Sequence, residues 1–155
     1  MYKKLKKTIK KFFREFLLYH NSTLEYRAKV LTLVIASNNR MSKCEEELLG
    51  EIACCIYDND EERADILVDT VKEYFKKIVT NNGLDFEHLL YNVENETREV
   101  RRFVSKINIE MLKKFHICLE DEDDRIYQER VVAFLADLKE RYVNREETDE
   151  KGYKC

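Results

Sequence analysis

The sequence contains no proline and only three glycines. Domains rich in β-strands need such residues at their turns, so this scarcity argues against a sheet protein and favours helices joined by short polar links. Lys, Glu, Leu and Arg are abundant instead, and all four are good helix formers. At 155 residues, of which 44% are hydrophobic, the chain has the size and composition of one domain with its own core.

Long apolar runs and the common catalytic motifs are also missing. No stretch reaches the ~18 consecutive apolar residues of a membrane-spanning helix. The chain has no glycine-rich phosphate loop, no GxSxG and no HExxH. We therefore expect a protein without a membrane span and without enzyme activity.

Cysteine is present but forms no familiar pattern. The five cysteines are an odd number, no two of them form a CxxC pair, and no cleavable apolar leader occurs. Reduced thiols in a cytosolic protein are the simplest interpretation. Cys54 and Cys55 lie in an apolar stretch and are expected to be buried structural thiols. His116-x-Cys118 lacks the further ligands that a zinc site needs.

Charge is distributed unevenly along the chain. Residues 1–20 contain seven Lys or Arg and a single acidic residue, so their net charge is about +6, and the overall charge of −3 leaves about −9 on the rest. The sequence thus predicts a soluble protein with a basic head and an acidic body.

The basic head has the pattern of an amphipathic helix. Its apolar stripe consists of Tyr2, Leu5, Ile9, Phe12 and Phe16. The stripe can pack on the bundle, or the helix can lie on anionic lipid or dock a protein partner. Nucleic acid is an unlikely ligand because the body is acidic and has no recognition-helix pattern. The candidate membrane or partner surface is Lys3, Lys4, Lys6, Lys7, Lys10, Lys11 and Arg14.

Capping patterns divide the next part of the chain into helices. Ser22 to Glu25 has capping-box spacing and opens a second helix, which is apolar nearly all round over residues 30–36 and is expected at the centre of the core. Ser42 to Glu45 opens a third helix that extends to about Tyr57. A fourth follows and ends near Thr80, where Gly83 suits a left-handed position after the helix.

The remaining pattern predicts a short helix at 85–92, helices near 94–105 and 108–119, and a last helix from about Ile126 to Tyr142. The fold class is therefore all-α, a compact single-domain bundle of seven or eight helices. We divide it into the basic helix 1–20, packed on or beside the domain, a helical domain 21–143, and a flexible tail 144–155.

One helix-loop-helix pattern occurs twice. The first copy is "VLTLVIASNNRMSKCEEELLGEIA", and the second is "MLKKFHICLEDEDDRIYQERVVAFLADL". In each, an apolar helix leads through a polar loop to an aliphatic anchor, Met41 or Ile126, and then to a glutamate, Glu45 or Glu129. The pairs at 48–49 and 134–135 then face inward. The two loops of such a pseudo-repeat can lie side by side.

This double pattern resembles the TerB-like family of helical domains, named for tellurite resistance, over residues 24–142. Asn38-Asn39-Arg40-Met41 and Asp123-Asp124-Arg125-Ile126 stand where the family has Asp-Gly-x-aliphatic, so both glycines are replaced here. Glu45 matches the family's glutamate, and Glu129 comes one residue early. The resemblance implies a compact, non-enzymatic helical module with acidic residues suspected of binding metal. It also implies work in stress-related, often membrane-associated assemblies.

The glutamates at 45–47 have two interpretations. Carboxylates in the first turn of a helix are stabilised by its exposed N–H groups and dipole, by about 0.3–1 kcal/mol each. Alternatively, Glu45 meets the acidic loop of the second repeat, where several oxygens could hold calcium, magnesium or manganese. The candidate ligands are Glu45, Asp121, Asp123, Asp124 and Glu129. The run at 120–124 is not an EF-hand, since Ile126 stands at the glycine position.

Our leading expectation is therefore a TerB-like binding module with a protein partner, cytoplasmic and in contact at most with the inner face of the membrane. A metal-free adaptor that docks a membrane or partner through the basic helix is the alternative. A hydrolase using a metal held by the same carboxylates is a distant third. The sequence names neither the ligand nor the oligomeric state.

Overall fold

The computed structural model describes residues 4, 6–11 and 22–143, and within these ranges the chain is helical and contains no strand. The six α-helices after residue 22 are α1 (Ser22–Ile35), α2 (Lys43–Ile56), α3 (Glu61–Val79), α4 (Phe86–Glu99), α5 (Ile109–Lys113) and α6 (Glu122–Val143). Three 3₁₀ turns join them, at Ala36–Asn38, Arg101–Lys106 and Lys114–Cys118. The prediction of an all-α bundle is confirmed.

Helix α1 is the centre of the core, as its all-round apolar sequence predicts. It packs against α3, α4 and α6, and ten of its 14 residues are buried. Its Tyr26 hydroxyl lies 2.6 Å from Thr97 Oγ1 of α4, and its ring stacks on Phe103 at a centroid distance of 4.4 Å. Burial in this setting raises the pKa of Tyr26 well above its ordinary value.

Helix α2 begins where the sequence predicts. Ser42 is its N-cap, and the apolar stripe Leu49, Ile52, Ala53 and Ile56 faces the core at helical spacing. That spacing turns position 54 outward, so the expectation that Cys54 is buried is wrong: Cys54 is exposed and free.

Helix α3 ends where the sequence predicts, but the turn after it differs. Asp60 caps α3 by accepting a hydrogen bond from the backbone N–H of Arg63 at 3.1 Å. The helix ends at Val79, and the left-handed position after its cap is occupied by Asn81 at φ 50°, whereas Gly83, expected there, lies two residues further on at φ +91°.

Helix α4 corrects the sequence-based boundaries. One continuous helix covers 86–99, where a short helix and the start of another were expected. Leu89, Val93 and Thr97 are all buried at four-residue spacing, and this stripe carries the helix through the expected break. The segment expected as a helix at 108–119 is α5 followed by a 3₁₀ turn.

Helix α6 begins at Glu122, four residues before the predicted start at Ile126. The side chain of Asp121 accepts hydrogen bonds from the backbone N–H groups of Asp123 and Asp124, at 2.8 and 3.2 Å, and so caps the helix. Asp121 is therefore the cap of α6, and the acidic residues 122–124 form its first turn. Ile126, expected to be a buried anchor, is 38% exposed, whereas Leu135 faces inward as predicted.

The described part of the basic head, residues 4 and 6–11, is helical. Ile9 is 60% exposed, and Lys10 forms an ion pair with Asp69 of α3 at 3.3 Å. The rest of the expected apolar stripe and the expected tail at 144–155 lie outside the described residues. Among the residues that the structure describes, no helix is long and apolar enough to cross a membrane.

Candidate functional site

The loop between α1 and α2 is built from local hydrogen bonds. Asn38 Oδ1 accepts from the backbone N–H of Arg40 at 3.3 Å, and Asn39 adopts φ 59°. Asparagine tolerates this left-handed conformation better than most residues. The replacement of the family's glycine by Asn39 is therefore compatible with the turn.

Glu45 takes part in capping the start of α2, and its side chain is buried. It forms a capping box with Ser42: its N–H donates to Ser42 Oγ at 3.1 Å, while its carboxylate accepts from Ser42 N–H at 3.3 Å. The side chain is almost completely buried, at 1% exposure. Burial raises the pKa of Glu45, the hydrogen bonds from Ser42 and Gln128 oppose that rise, and the charge of Asp124 adds to it.

The two glutamates that follow have a different environment. Glu46 is exposed and pairs with Lys72 of α3 at 2.7 Å, and this hydrogen bond and charge lower the pKa of Glu46. Glu47 is also exposed. Glu46 lies in the first turn of α2, as the helix-start interpretation requires, whereas Glu47 lies beyond that turn. Of the three glutamates, Glu45 points toward the second repeat.

Gln128 of α6 is the residue that joins the repeats inside the protein. It has no exposed surface, and its amide nitrogen donates to the carbonyl of Val34 at 3.2 Å and to Glu45 Oε2 at 3.3 Å. Its amide oxygen lies 2.8 Å from Nδ1 of His116. The buried carboxylate of Glu45 thus receives a hydrogen bond from the second half of the chain.

Two contacts join the repeats at the surface. The guanidinium of Arg40 forms an ion pair with the carboxylate of Asp124. Cys44, in the first turn of α2, is in a disulfide with Cys118, and their Cα atoms are 5.5 Å apart. The expectation of reduced thiols is therefore wrong for these two cysteines, and Cys55 is disulfide-bonded as well.

These contacts confirm that the loops of the pseudo-repeat lie side by side, and they leave a cleft between the loops. The cleft has a volume of about 730 Å³, which is large for a single ion and within the ordinary range for a small ligand or a few residues of a peptide. Its charged lining is predominantly acidic. The cleft is lined by Asn38, Arg40, Met41, Ser42, Lys43, Cys44, Glu45, Cys118, Leu119, Glu120, Asp121 and Asp124.

The five predicted metal ligands are only partly brought together. Glu45, Asp121 and Asp124 line the cleft, whereas Asp123 and Glu129 are exposed and do not. Glu45 is committed to Ser42 and Gln128, Asp121 to the cap of α6, and Asp124 to Arg40. Within the described ranges, no group of three His, Cys, Asp or Glu side chains is placed to hold a metal ion. This arrangement does not fit a divalent-cation site.

Sequence reasoning missed three members of this site. The pattern of the repeat places Ile126 and Glu129 at its key positions and gives no role to Gln128, whereas in the structure α6 begins earlier, at Glu122. The Cys44–Cys118 disulfide follows from the side-by-side loops, but an odd cysteine count gave no signal for the pairing. Arg40 carried no signal beyond its place in the loop.

The described lysines of the predicted basic surface are Lys4, Lys6, Lys7, Lys10 and Lys11, and all of them are exposed. Lys3 and Arg14 lie outside the described residues. None of these five lysines lines the cleft, and Lys10 instead pairs with Asp69 of α3 at 3.3 Å.

Comparison with known proteins gives no relative for this architecture: no protein-family model matches the chain, and no curated protein or solved structure is significantly similar to it.

Proposed function

We propose that this protein is a non-enzymatic, TerB-like binding module, and that its ligand occupies the cleft between the two loops. The observation that carries the proposal is the joining of the loops by Gln128–Glu45, Arg40–Asp124 and Cys44–Cys118. Three independent contacts between segments about 80 residues apart hold the cleft in shape before any ligand arrives, and a preformed site loses less entropy on binding.

The charge of the cleft favours a basic ligand. Glu45, Glu120, Asp121 and Asp124 line it against Arg40 and Lys43, so its acidic side chains outnumber its basic ones. The divalent cation suggested by the family resemblance does not suit these carboxylates, because Glu45 accepts from Ser42 and Gln128, Asp121 caps α6, and Asp124 pairs with Arg40. A lysine- or arginine-rich segment of a protein partner needs only the exposed carboxylates at the rim.

A calorimetric titration with a lysine-rich peptide tests this proposal. The double variant E120Q/D121N removes two charges from the cleft and keeps a capping side chain at position 121, since asparagine caps helices as well as aspartate does. At roughly 0.2–1 kcal/mol per exposed charge pair, we expect affinity to fall about twofold to thirtyfold.

The matched control is E122Q/D123N, which removes the same charge from neighbouring positions that do not line the cleft. Equal losses of affinity in the two double variants would show that the peptide is attracted diffusely to the acidic body, and would contradict the proposal. An acidic peptide of the same length should not bind.

The alternative function, docking of an anionic membrane by the basic head, is favoured by a separate observation. Five lysines and Ile9 are exposed on residues 4–11, and each basic residue near such a surface contributes about 1 kcal/mol. Pelleting with anionic vesicles should then fall sharply when these five lysines are changed to glutamine. Equal pelleting of both proteins would dismiss this alternative.

Localisation is tied to the disulfide. Disulfides persist in oxidising compartments, and in the cytosol they are usually transient and catalytic or redox-sensing. The expected cytoplasmic location of this module therefore requires that the Cys44–Cys118 bond be transient, as catalytic or redox-sensing disulfides are. The stress-response role implied by the family resemblance agrees with such a bond.

A further inference from the structure

The Cys44–Cys118 disulfide lies where another molecule can reach it. Cys44 is exposed, Cys118 is partly exposed, and both line the cleft between the loops. A disulfide that only reinforces a fold can be enclosed by the core, whereas thiol–disulfide exchange requires access to one of the sulfurs.

The position of Cys44 also suits exchange. It is the second residue of α2, two positions after the Ser42 cap, and a helix N-terminus stabilises a thiolate by its exposed N–H groups and dipole. The reduced form of Cys44 is therefore stabilised by the element that carries it.

Other contacts still join the two loops when this bond is broken. After reduction, Gln128 still joins α6 to Glu45 and Val34, and Arg40 still pairs with Asp124. The core around α1, including Leu33, is buried independently of either cysteine. Reduction thus changes the rim of the cleft without removing the contacts that hold the helices.

We propose that Cys44–Cys118 is a redox-active disulfide whose substrate is a thiol compound that enters the cleft. A thiolate of the substrate attacks Sγ of Cys44, the S–S bond breaks, and its electron pair leaves on Sγ of Cys118, which takes up a proton. The substrate is then joined to Cys44 by a mixed disulfide.

A second thiol of the same substrate completes the exchange. Its thiolate attacks the substrate's sulfur in the mixed disulfide and releases Cys44 as a thiolate. The substrate dithiol loses two electrons and becomes a disulfide, and the two cysteines gain them. This activity is independent of peptide binding in the cleft, so either proposal can fail alone.

The test uses the full chain with C54S, which removes the exposed free thiol and the disulfide shuffling that it could cause. The protein is exposed to dithiothreitol without denaturant, and the reduced cysteines are alkylated and located by mass spectrometry. We expect Cys44 and Cys118 to be reduced at a rate proportional to the dithiothreitol concentration, with unchanged near-ultraviolet circular dichroism.

A rate that is independent of dithiothreitol concentration and equal to the rate of global unfolding would overturn the proposal, because the bond would then be reachable only in the unfolded chain. Glutathione and reduced thioredoxin replace dithiothreitol in two further arms. Reduction by glutathione, in which a second glutathione molecule supplies the second thiol and leaves glutathione disulfide, identifies a small thiol as a sufficient substrate. Reduction by thioredoxin alone identifies a protein dithiol.

The variant C118S, also in the C54S background, shows which sulfur is attacked. With glutathione disulfide, its Cys44 should form a stable mixed disulfide, since the cysteine that would displace glutathione is gone. In the matched variant C44S, the adduct on the less exposed Cys118 should form more slowly. Faster labelling of Cys118 than of Cys44 would contradict the assigned direction of attack.

Discussion

At the scale of single residues, Glu45 combines two roles that the sequence pattern presents as alternatives. It caps α2 through Ser42, and it also receives a hydrogen bond from Gln128 of the second repeat. A buried carboxylate can serve both roles because its two oxygens accept from different directions. Glu46 pairs with Lys72 of α3 and Glu47 is exposed, so neither contacts the second repeat.

The raised pKa of Glu45 predicts a pH-dependent stability. A carboxyl whose pKa is higher in the folded than in the unfolded chain binds its proton more tightly when folded, so the protein loses stability as pH rises through that range. E45Q has no such titration. Its free energy of unfolding, measured by urea denaturation, should therefore improve relative to that of the wild type as pH increases from about 4 to 7.

The control for this measurement is E47Q, which changes an exposed glutamate two positions along the same helix. Its stability relative to the wild type should change less with pH than that of E45Q. A difference between E45Q and the wild type that stays constant with pH would contradict the assignment of Glu45 as the group whose pKa burial raises.

Gln128 gives a second prediction at this scale. Q128L removes the amide that serves Glu45, Val34 and His116, and leaves buried polar atoms without partners. We expect a loss of about 1–3 kcal/mol in the free energy of unfolding. The neighbouring substitution E129Q, on the exposed face, should stay within about 0.5 kcal/mol of the wild type. Similar effects of the two would show that Gln128 does not join the repeats.

At the scale of helices and loops, the disulfide is the strongest single constraint. It closes a loop across a sequence separation of 74 residues, and the chain-entropy model gives such a cross-link up to about 4 kcal/mol. The double variant C44S/C118S should therefore unfold at a lower urea concentration than the wild type, and it should remain folded in the absence of urea. C54S, which removes an unpaired surface thiol, should unfold with the wild type.

Loss of the folded state in C44S/C118S would contradict the view that the hydrogen bonds and the core suffice to hold the two loops. An unchanged urea midpoint would instead show that the cysteines are not paired in solution.

Some helix boundaries follow from the sequence, and others do not. The start of α2 follows from the short-range capping pattern of Ser42, so the sequence alone predicts it, whereas the cap of α3 by Asp60 is seen only in the structure. The start of α6 was misplaced because the acidic run was interpreted as a loop, although Asp121 caps the helix and the acids form its first turn. The sequence predicts two helices where α4 is one, because polar residues interrupt the apolar pattern of the buried stripe that includes Val93.

The candidate site was predictable only in part. The pseudo-repeat was enough to place the loops together, since their equivalence is visible along the chain. The contacts that join the loops, Gln128 with Glu45 and Arg40 with Asp124, link positions more than 80 residues apart, and no local pattern encodes them. Cys54 was misplaced by treating an apolar stretch as buried on all sides, although a helix buries only one stripe.

At the scale of the whole molecule, the chain separates its charges. The described lysines of the basic head are exposed, and the acidic residues gather at the cleft and at the start of α6. Such a distribution steers partners of opposite charge to different surfaces. The central claim is that the two loops act as one site, and a partner that binds there must affect both.

The measurement that tests this claim most directly is an amide NMR titration of isotope-labelled protein with the lysine-rich peptide. We expect residues 38–45 and 118–124 to shift together and to saturate with one dissociation constant, because the cleft is shared. E120Q/D121N should weaken both sets of shifts equally. Shifts confined to one loop, or spread over the acidic surface without saturation, would contradict the account and show that the loops are joined for stability alone.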